Sequence, residues 1–174
     1  MLDLETYSVE PNAAILTIGA IKFSRSGPLQ PKKKLSTFYR RVHLQSCINA
    51  GLHINQETVQ WWSTQDKDAL YEAVGNPDRI PLKQALEEFN VWFRGSYIVW
   101  ANAPSFDCVI LESAAKVCDV PVPWKFWNTR DCRTIFDLGK VRMKDLPVST
   151  AHNAVDDCYR QIIGVKRALK NLEL

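Results

Sequence analysis

Two acidic residues, Asp3 and Glu5, lie two positions apart in the apolar segment that opens the chain. On a β-strand, side chains two positions apart leave the same face, so a strand here would place both carboxylates side by side. Like charges at such positions repel each other, and in apolar surroundings they are costly unless a cation neutralises them. The pair therefore predicts a divalent-cation site, with an exposed edge strand carrying two solvated acids as the alternative.

The composition indicates one globular domain over residues 1–174. With 46% apolar and 24% charged residues, the chain is typical of neither a disordered nor a fibrous protein. No apolar run approaches the roughly 20 residues that cross a bilayer, and no signal-peptide pattern is present, so no membrane association is expected. The five cysteines lack a Cys-x-x-Cys pair, which favours reduced thiols and a cytoplasmic location over disulfides or a zinc site.

The net charge is only +3, so affinity for a polyanion would have to come from local clusters of basic residues. Two clusters are present: Lys32-Lys33-Lys34 with Arg40-Arg41, and a later group of Arg130, Arg133, Lys140, Arg142 and Lys144. A solvated surface is the alternative interpretation of each cluster.

The hydrophobic pattern predicts three strands followed by alternating helices and strands. Strands are predicted at 1–6, 14–23 and 35–44, which would form an antiparallel meander, and at 97–101. Helices are predicted at 55–73, 81–95, 104–118, 134–139 and 151–172. This order is typical of an α/β fold in which helices cover the faces of a mixed central sheet.

A third acid, Asp107, stands near the start of the helix that follows the 97–101 strand. Acids in the first turn of a helix often do no more than stabilise the helix dipole, which is the alternative here. In an open α/β sheet, however, ligands bind just past the carboxyl ends of strands. The position of Asp107 therefore favours a functional role.

The last candidates are His152 and Asp157, which stand five residues apart at the start of the terminal helix. A histidine without partners is usually structural, but the neighbouring acidic pair Asp156-Asp157 favours a functional role for this one. If His152 precedes the helix and Asp157 lies in its first two turns, both side chains can approach one cleft.

Carboxylates without clustered cysteines or histidines favour Mg²⁺ or Mn²⁺ over zinc. In phosphodiester hydrolysis two such cations, about 3.5–4 Å apart, stabilise the attacking and leaving oxygens. Imidazoles titrate near neutral pH, so a histidine can take the proton of the attacking water, which a metal-bound carboxylate cannot readily do. A two-metal phosphodiesterase needs this set of side chains, namely Asp3, Glu5, Asp107, Asp157 and His152.

These residues resemble the motifs of the DEDDh 3′-5′ exonucleases of the ribonuclease H-like superfamily, and the resemblance covers essentially the whole chain. The first motif, Asp-x-Glu-Thr, is matched by Asp3, Glu5 and Thr6, and the second-motif aspartate by Asp107. The third motif, His-x4-Asp, is matched at 152–157. The tyrosine subtype of these enzymes would need tyrosine at the position of Asn153, so the histidine subtype is favoured. Residues 58–65 and 130–135 further resemble the branch that contains exonuclease VIII and ribonuclease AS.

The resemblance implies a ribonuclease H-like three-layer fold, with a mixed central sheet flanked by helices. It implies hydrolysis of nucleic acid from a 3′ end, which is single-stranded, releasing nucleoside 5′-monophosphates. Two divalent cations, Mg²⁺ or Mn²⁺, would be held by four ligands, with His152 as general base and Thr6 in contact with the terminal nucleotide; the ligands are Asp3, Glu5, Asp107 and Asp157. The family includes dimers, so a homodimer is left open.

Side chains that would bind the substrate can be named from chemistry, because unstacked bases need aromatic faces beside a basic groove. Phe106 and the adjacent pair Trp61 and Trp62 supply such faces, although neighbouring positions on a helix point about 100° apart, so one indole is expected in the core. Arg130 and Arg133 are candidates for phosphate contacts, with surface ion pairs as the alternative.

The branch includes enzymes that degrade DNA and enzymes that degrade RNA. The segment 130–135 is more similar to the exonuclease VIII side, which favours DNA; an exoribonuclease of the ribonuclease AS type is the alternative. A catalytically silent nucleic-acid-binding module and a phosphodiesterase acting on dinucleotides are the rival functions. All five motif positions are filled, which argues against the silent module.

Overall fold

The computed structural model describes residues 1–147 and 152–174. Its strands are β1 (Leu2–Thr6), β2 (Ile15–Ile21), β3 (Thr37–Arg41), β4 (Val99–Ala101) and β5 (Thr129–Asp131). Its α-helices are α1 (Leu44–Asn49), α2 (Gln56–Ser63), α3 (Lys67–Leu70), α4 (Leu82–Phe93), α5 (Asp107–Val117), α6 (Cys132–Leu138) and α7 (Ala154–Asn171). Short 3₁₀ turns lie at Lys32–Lys34, Phe126–Asn128 and Met143–Asp145.

The strands form two small sheets, one antiparallel and one parallel. In the order β1-β2-β3 they make the predicted antiparallel meander, in which Asp3 pairs with Gly19 and Glu5 with Thr17. The second sheet is the parallel pair β4-β5, and β4 contacts β1. The α/β class is confirmed, but the strands are divided between two sheets where a single mixed sheet was predicted.

The strand β5 was not predicted, because its three residues, Thr129–Asp131, carry no apolar pattern. Only its pairing with β4 makes it a strand. The predicted helix at 55–73 is also different, since it is divided into α2, α3 and a π turn at Tyr71–Gly75. Asp66 causes one of the breaks: its carboxylate accepts hydrogen bonds from the N–H groups of Asp68 and Ala69 and starts a new helix.

Two other boundaries differ from the prediction. The third strand ends at Arg41, and Leu44–Asn49 turns into α1, which the alternating pattern at 35–44 concealed. The terminal helix begins at Ala154, after Asn153 accepts hydrogen bonds from the N–H groups of Val155 and Asp156. Ala151, where this helix was predicted to begin, lies outside the described residues.

The alternation of β1 separates its apolar side chains from its acids. Leu2 and Leu4 belong to a core cluster shared with α4 and α5, whereas the face that carries Asp3 and Glu5 is turned to α7. A second apolar cluster lies beneath α7 and includes Phe136, Cys158, Ile162 and Val165. The sheet therefore has helices on both faces, with the acids on the side of α7.

Two expectations drawn from composition can be compared with the structure. In the parts of the chain that the structure describes, none of the helices combines the length and the apolar character that crossing a bilayer requires. All five cysteines are free thiols, and four of them are buried.

Candidate active site

Three carboxylates from the two ends of the chain meet where β1 and α7 face each other. One oxygen from each of Asp3, Glu5 and Asp157 lies within 4.8 Å of the others. Asp3 and Glu5 come from the same face of β1, and Asp157 comes from the first turn of α7. Each residue keeps some contact with solvent, while its carboxyl group is densely surrounded by protein atoms. Such a place can admit a cation or water but solvates free charges poorly.

Gly19 allows α7 to approach β1 this closely. It is the partner of Asp3 in the sheet, and its carbonyl accepts a hydrogen bond from the Cys158 thiol at 3.5 Å. A Cβ atom on Gly19 would lie 2.5 Å from the Cβ and 2.6 Å from the carbonyl carbon of Ala154. Only glycine therefore permits the start of α7 to rest directly on β2 and bring Asp157 beside the two acids of β1.

Asp107 lies beside the three carboxylates, at the start of α5. Its side chain is only 3% exposed, and one of its oxygens accepts a hydrogen bond of 3.0 Å from the backbone N–H of Leu4. Leu4 stands between Asp3 and Glu5, so this bond ties the fourth acid to the strand that carries the first two. Asp107 is close enough to both of them to raise their pKa values.

The four carboxyl groups are all shifted towards the protonated form. Burial raises the pKa of Asp3 well above its usual range, and the three neighbouring carboxylates raise it further. Burial and the same repulsion raise the pKa of Glu5 to about 8. Burial also raises the pKa of Asp107 to about 7, although the Leu4 N–H and the charge of Arg133 act against it. A set of oxygen ligands that repel one another in this way fits a hard divalent cation such as Mg²⁺ or Mn²⁺.

Asp157 is less strongly perturbed than its partners. Burial raises its pKa, while electrostatic interactions with His152 and Arg160 lower it. Its neighbour Asp156 forms a salt bridge with Lys32 and also raises the pKa of Asp157.

Gln161 is a site residue that the sequence analysis missed. Its amide nitrogen donates a hydrogen bond of 2.7 Å to Asp3, and only 2% of the residue is exposed. Its amide oxygen has no hydrogen-bond partner among the described residues. Gln161 follows Asp157 by four positions, so both side chains project from the same face of α7. The sequence signal that could have revealed it is a polar residue four positions after Asp157, beside the apolar pair Ile162-Ile163.

His152 lies in the turn just before α7, with φ of 57°. Its ring packs edge-to-face against Trp61, with ring centroids 5.1 Å apart, and its centroid lies 5.9 Å from that of Trp62. Its backbone also bonds to the carboxyl group of Asp157. The imidazole is therefore held between the tryptophan pair of α2 and the carboxylate cluster.

A groove with a volume of about 540 Å³ lies on the other side of Glu5. Thr6, Phe106 and the two tryptophans line it, so the structure brings four of the predicted substrate-binding side chains together. Trp61 is 43% exposed, whereas Trp62 is 1% exposed and donates its indole N–H to the carbonyl of Thr6 at 2.9 Å. The prediction that one indole belongs to the core is confirmed. The core indole is Trp62, so its burial does not agree with the predicted contact of Trp62 with the substrate, and Trp61 is the one with an open face.

The two predicted arginines occupy different surroundings. Arg133 is exposed in the first turn of α6, near enough to Asp107 to lower its pKa. Arg130 lies on β5, where its guanidinium donates to the carbonyls of Trp127 and Thr129 at 2.9 and 2.8 Å. The structure thus brings Arg133 to the site, while Arg130 holds the backbone ahead of β5.

The raised pKa of Glu5 makes stability depend on pH when no cation is bound. Its pKa rises from 4.5 to about 8 on folding, so the folded state holds its proton over an interval in which the unfolded chain releases it. The free energy of unfolding therefore falls as pH rises through that interval. In EDTA we expect Glu5→Gln to raise Tm by about 5 °C near pH 8.5 and to change it little near pH 5.

The matched control for this measurement is Glu10→Gln, because Glu10 is exposed and lies outside the cluster. We expect it to leave Tm unchanged at both pH values. With Mn²⁺ added near pH 8.5, the unsubstituted protein should gain stability by binding and the Glu5→Gln protein should gain less. If the unsubstituted protein and the Glu5→Gln protein had equal melting curves in EDTA near pH 8.5, the pKa of Glu5 would not be raised in the folded state.

The contact of Gly19 with Ala154 can be tested against a second contact at the other end of α7. A Cβ atom on Gly139 would lie 2.6 Å from the Cα and Cβ atoms of Ala168, nearly as close as in the first case. We expect Gly19→Ala and Gly139→Ala each to lower the free energy of unfolding by about 1–3 kcal/mol. Only Gly19→Ala should also weaken Mn²⁺ binding, measured by calorimetry, because it displaces Asp157. If both variants bound Mn²⁺ equally well, the position of the first turn would not depend on Gly19.

Comparison with known proteins gives two matches. The family model described as the 3′-5′ exoribonuclease Rv2179c-like domain matches residues 1–169. The chain is also similar to the exodeoxyribonuclease of Enterobacteria phage T4, with 23% identity over 205 aligned residues that cover 98% of this chain and 88% of the phage protein. The family model covers the strand that carries Asp3 and Glu5 and nearly the whole helix that carries Asp157. The chain belongs to the 3′-5′ exoribonuclease Rv2179c-like domain family.

Proposed function

We propose that this protein is a metal-dependent 3′-5′ exonuclease of the DEDDh type with a ribonuclease H-like fold. It would hydrolyse phosphodiester bonds from the 3′ end of a nucleic acid strand and release nucleoside 5′-monophosphates. The observation that supports this best is the convergence of Asp3, Glu5 and Asp157 within 4.8 Å, in surroundings that raise their pKa values. A cluster of this kind is destabilising unless it binds cations, so its presence favours a metal site over a solvated acidic surface.

Four residues would hold two divalent cations, Mg²⁺ or Mn²⁺: Asp3, Glu5, Asp107 and Asp157. When bound, these cations would supply Lewis-acid stabilisation of the attacking and leaving oxygens of the phosphodiester. Gln161 keeps Asp3 oriented through its 2.7 Å hydrogen bond, and the Leu4 N–H does the same for Asp107. These supporting bonds reduce the reorganisation needed when cation and substrate arrive.

His152 would act as the general base. It lies between the groove and the carboxylate cluster, so its ring can receive the proton of a water that attacks the last phosphodiester bond. The carboxylates cannot do this while they hold cations. Asp157 stabilises the imidazolium that forms, because it lies close enough for the two charges to interact.

The groove would hold the 3′-terminal nucleotide. The exposed face of Trp61 and the ring of Phe106 offer stacking surfaces for its base. Thr6 lines the groove next to Glu5, and its carbonyl oxygen accepts a hydrogen bond from the Trp62 indole N–H. Arg133, near Asp107, would place a positive charge beside the phosphate at the site of cleavage.

We favour DNA as the substrate. The phage relative, which matches 98% of this chain, is an exodeoxyribonuclease. RNA is the second candidate, because the family description specifies exoribonuclease activity. Discrimination between the two would depend on a contact to the 2′-hydroxyl of the bound nucleotide.

The direct test is to incubate the protein with 5′-labelled single-stranded DNA or RNA in Mg²⁺, Mn²⁺ or EDTA. We expect a ladder of products that shortens from the 3′ end, no products in EDTA, and faster shortening of DNA. Glu5→Gln should lower the rate by at least about 10²-fold, in the range found when transition-state stabilisation is lost. Glu10→Gln serves as the matched control and should keep the normal rate. Early products cut at internal positions would contradict the exonuclease assignment.

A second experiment separates the role of His152 from metal binding. We expect His152→Ala to lower kcat by about 10²–10⁴-fold, the usual contribution of a general base, while Mn²⁺ affinity measured by calorimetry is preserved. His43→Ala is the control, because His43 is exposed and its side chain does not cap the helix it precedes. Loss of Mn²⁺ binding in His152→Ala would show that His152 is a ligand and not the base.

A further inference from the structure

The loop between β2 and β3, residues 22–36, is held against α7 by three side chains of that helix. Lys166 donates to the carbonyls of Arg25, Ser26 and Gly27 at 3.2, 3.0 and 2.7 Å. The Tyr159 hydroxyl donates to the carbonyl of Gln30 at 3.1 Å, and Lys32 pairs with Asp156. The three residues that hold the loop are Asp156, Tyr159 and Lys166, and they lie on the same helix as Asp157. The loop is therefore positioned by the same element that positions the carboxylate cluster.

The last of these contacts places a run of three lysines, Lys32–Lys34, beside the first turn of α7; we refer to this run as the lysine turn. It is a 3₁₀ turn with about three residues per turn, so its three side chains point in three different directions. Lys32 forms a salt bridge with Asp156. Lys33 and Lys34 are exposed, and neither forms a salt bridge with an acid in the described part of the chain. Two positive charges are thus left facing solvent.

The position of the lysine turn relative to the groove follows from a continuous series of contacts. Glu5 lines the groove, Glu5 and Asp157 meet in the carboxylate cluster, and Asp156, the next residue on α7, holds Lys32. A strand with its 3′-terminal nucleotide in the groove has its last phosphodiester bond at the cluster. If its preceding nucleotides continue along the first turn of α7, they pass the lysine turn, which the salt bridge of Lys32 with Asp156 joins to that part of the helix.

Electrostatics give the lysine turn a function. The carboxylate cluster repels a polyanion, and the net charge of the whole chain is only +3, so attraction must come from charges close to the path of the strand. Lysines bind phosphates as point charges and release the counterions that the strand had gathered. Lys33 and Lys34 fit this requirement, because they form no salt bridge among the described residues and directly follow Lys32, which is paired with the neighbour of Asp157.

We propose that Lys33 and Lys34 bind the phosphates of nucleotides upstream of the scissile bond and make the enzyme favour strands over dinucleotides. This inference rests on the proposed function, since it places the substrate by the groove and the carboxylate cluster. It assigns a role to the Lys32-Lys33-Lys34 cluster that the catalytic residues do not require.

The test compares Lys33→Gln/Lys34→Gln with a control pair, Lys83→Gln/Lys116→Gln. Both controls are exposed lysines, and Lys116 lies nine residues along α5 from Asp107, about 13 Å at the rise of an α-helix. Lys83 lies near Cys118, just past the same distant end of that helix. Each pair removes two positive charges, so non-specific effects of net charge are matched.

Steady-state kinetics on a 5′-labelled 15-nucleotide strand and on a dinucleotide give the first measurement. For the lysine-turn variant we expect KM on the 15-mer to rise about 10-fold, with kcat unchanged and the dinucleotide unaffected. The control pair should change neither substrate's kinetics. Equal reductions in kcat/KM on both substrates, or an equal reduction in the control pair, would overturn the proposal.

Binding of the same 15-mer in EDTA, followed by fluorescence anisotropy, gives a measurement independent of cleavage. A plot of log affinity against log salt concentration should become shallower by about 1.4, since each single-strand phosphate that a lysine neutralises adds about 0.7 to the slope. An unchanged slope would show that both lysines are merely solvated. If the unsubstituted protein bound the strand but cleaved nothing, the proposed function would fail; if it cleaved the strand and the lysine-turn variant bound it with an unchanged salt slope, only this inference would fail.

Discussion

The structure depends on a cluster of carboxylates that folding brings together although they repel one another. Asp3, Glu5 and Asp157 present oxygens within 4.8 Å of one another, and Asp107 adds its charge from the start of α5. Burial and mutual repulsion raise the pKa of Glu5 to about 8, which means that the folded chain holds these acids together at a cost in free energy. Such a cost is typical of functional sites that need preorganised charge, as the cation site proposed above would.

The strand β1 keeps the acids in place because one of its faces packs in the core and the other carries the acids. Its even positions, Leu2 and Leu4, are buried in the main core, and its odd positions carry the acids towards α7. Because the apolar side chains anchor the strand, the acids cannot separate without unpacking the core. The backbone contributes directly as well, since the N–H of Leu4 holds Asp107 against the strand. Core and site are therefore stabilised by the same short segment.

Two surfaces of different chemical character adjoin the carboxylate cluster. On the side of Glu5 the surface is aromatic, with Trp61 open and Trp62 buried beneath it. On the side of Asp157 the helix α7 carries a loop rich in lysine. A nucleic acid strand has bases that stack and phosphates that need positive charge, and these two surfaces offer both in sequence. His152 lies at the boundary, in contact with the tryptophans and with Asp157.

Local patterns in the sequence were sufficient for much of the fold. The alternation of residues 1–6 predicted a strand with both acids on one face, and the meander of the first three strands is confirmed. The pattern did not reveal β5, whose residues form a strand only because β4 lies beside them. It also did not reveal the break between α2 and α3, where a single cap at Asp66 outweighs the helical periodicity. Hydrophobic periodicity reflects only residues that are close in sequence. It therefore cannot predict a strand that depends on a distant partner strand, or a helix break that depends on one capping side chain.

For the site, the sequence by itself determined which residue types were available and which face of β1 carries two of them, because a strand alternates. Only the tertiary structure decided which side chains meet. The bond from Gln161 to Asp3 joins residues 158 positions apart, and that from Leu4 to Asp107 joins residues 103 positions apart. These contacts, the choice of Trp62 for the core and the approach of α7 at Gly19 all arise from the packing of helices on the sheet. Such packing is set by shape over the whole molecule, which no local pattern of residues encodes.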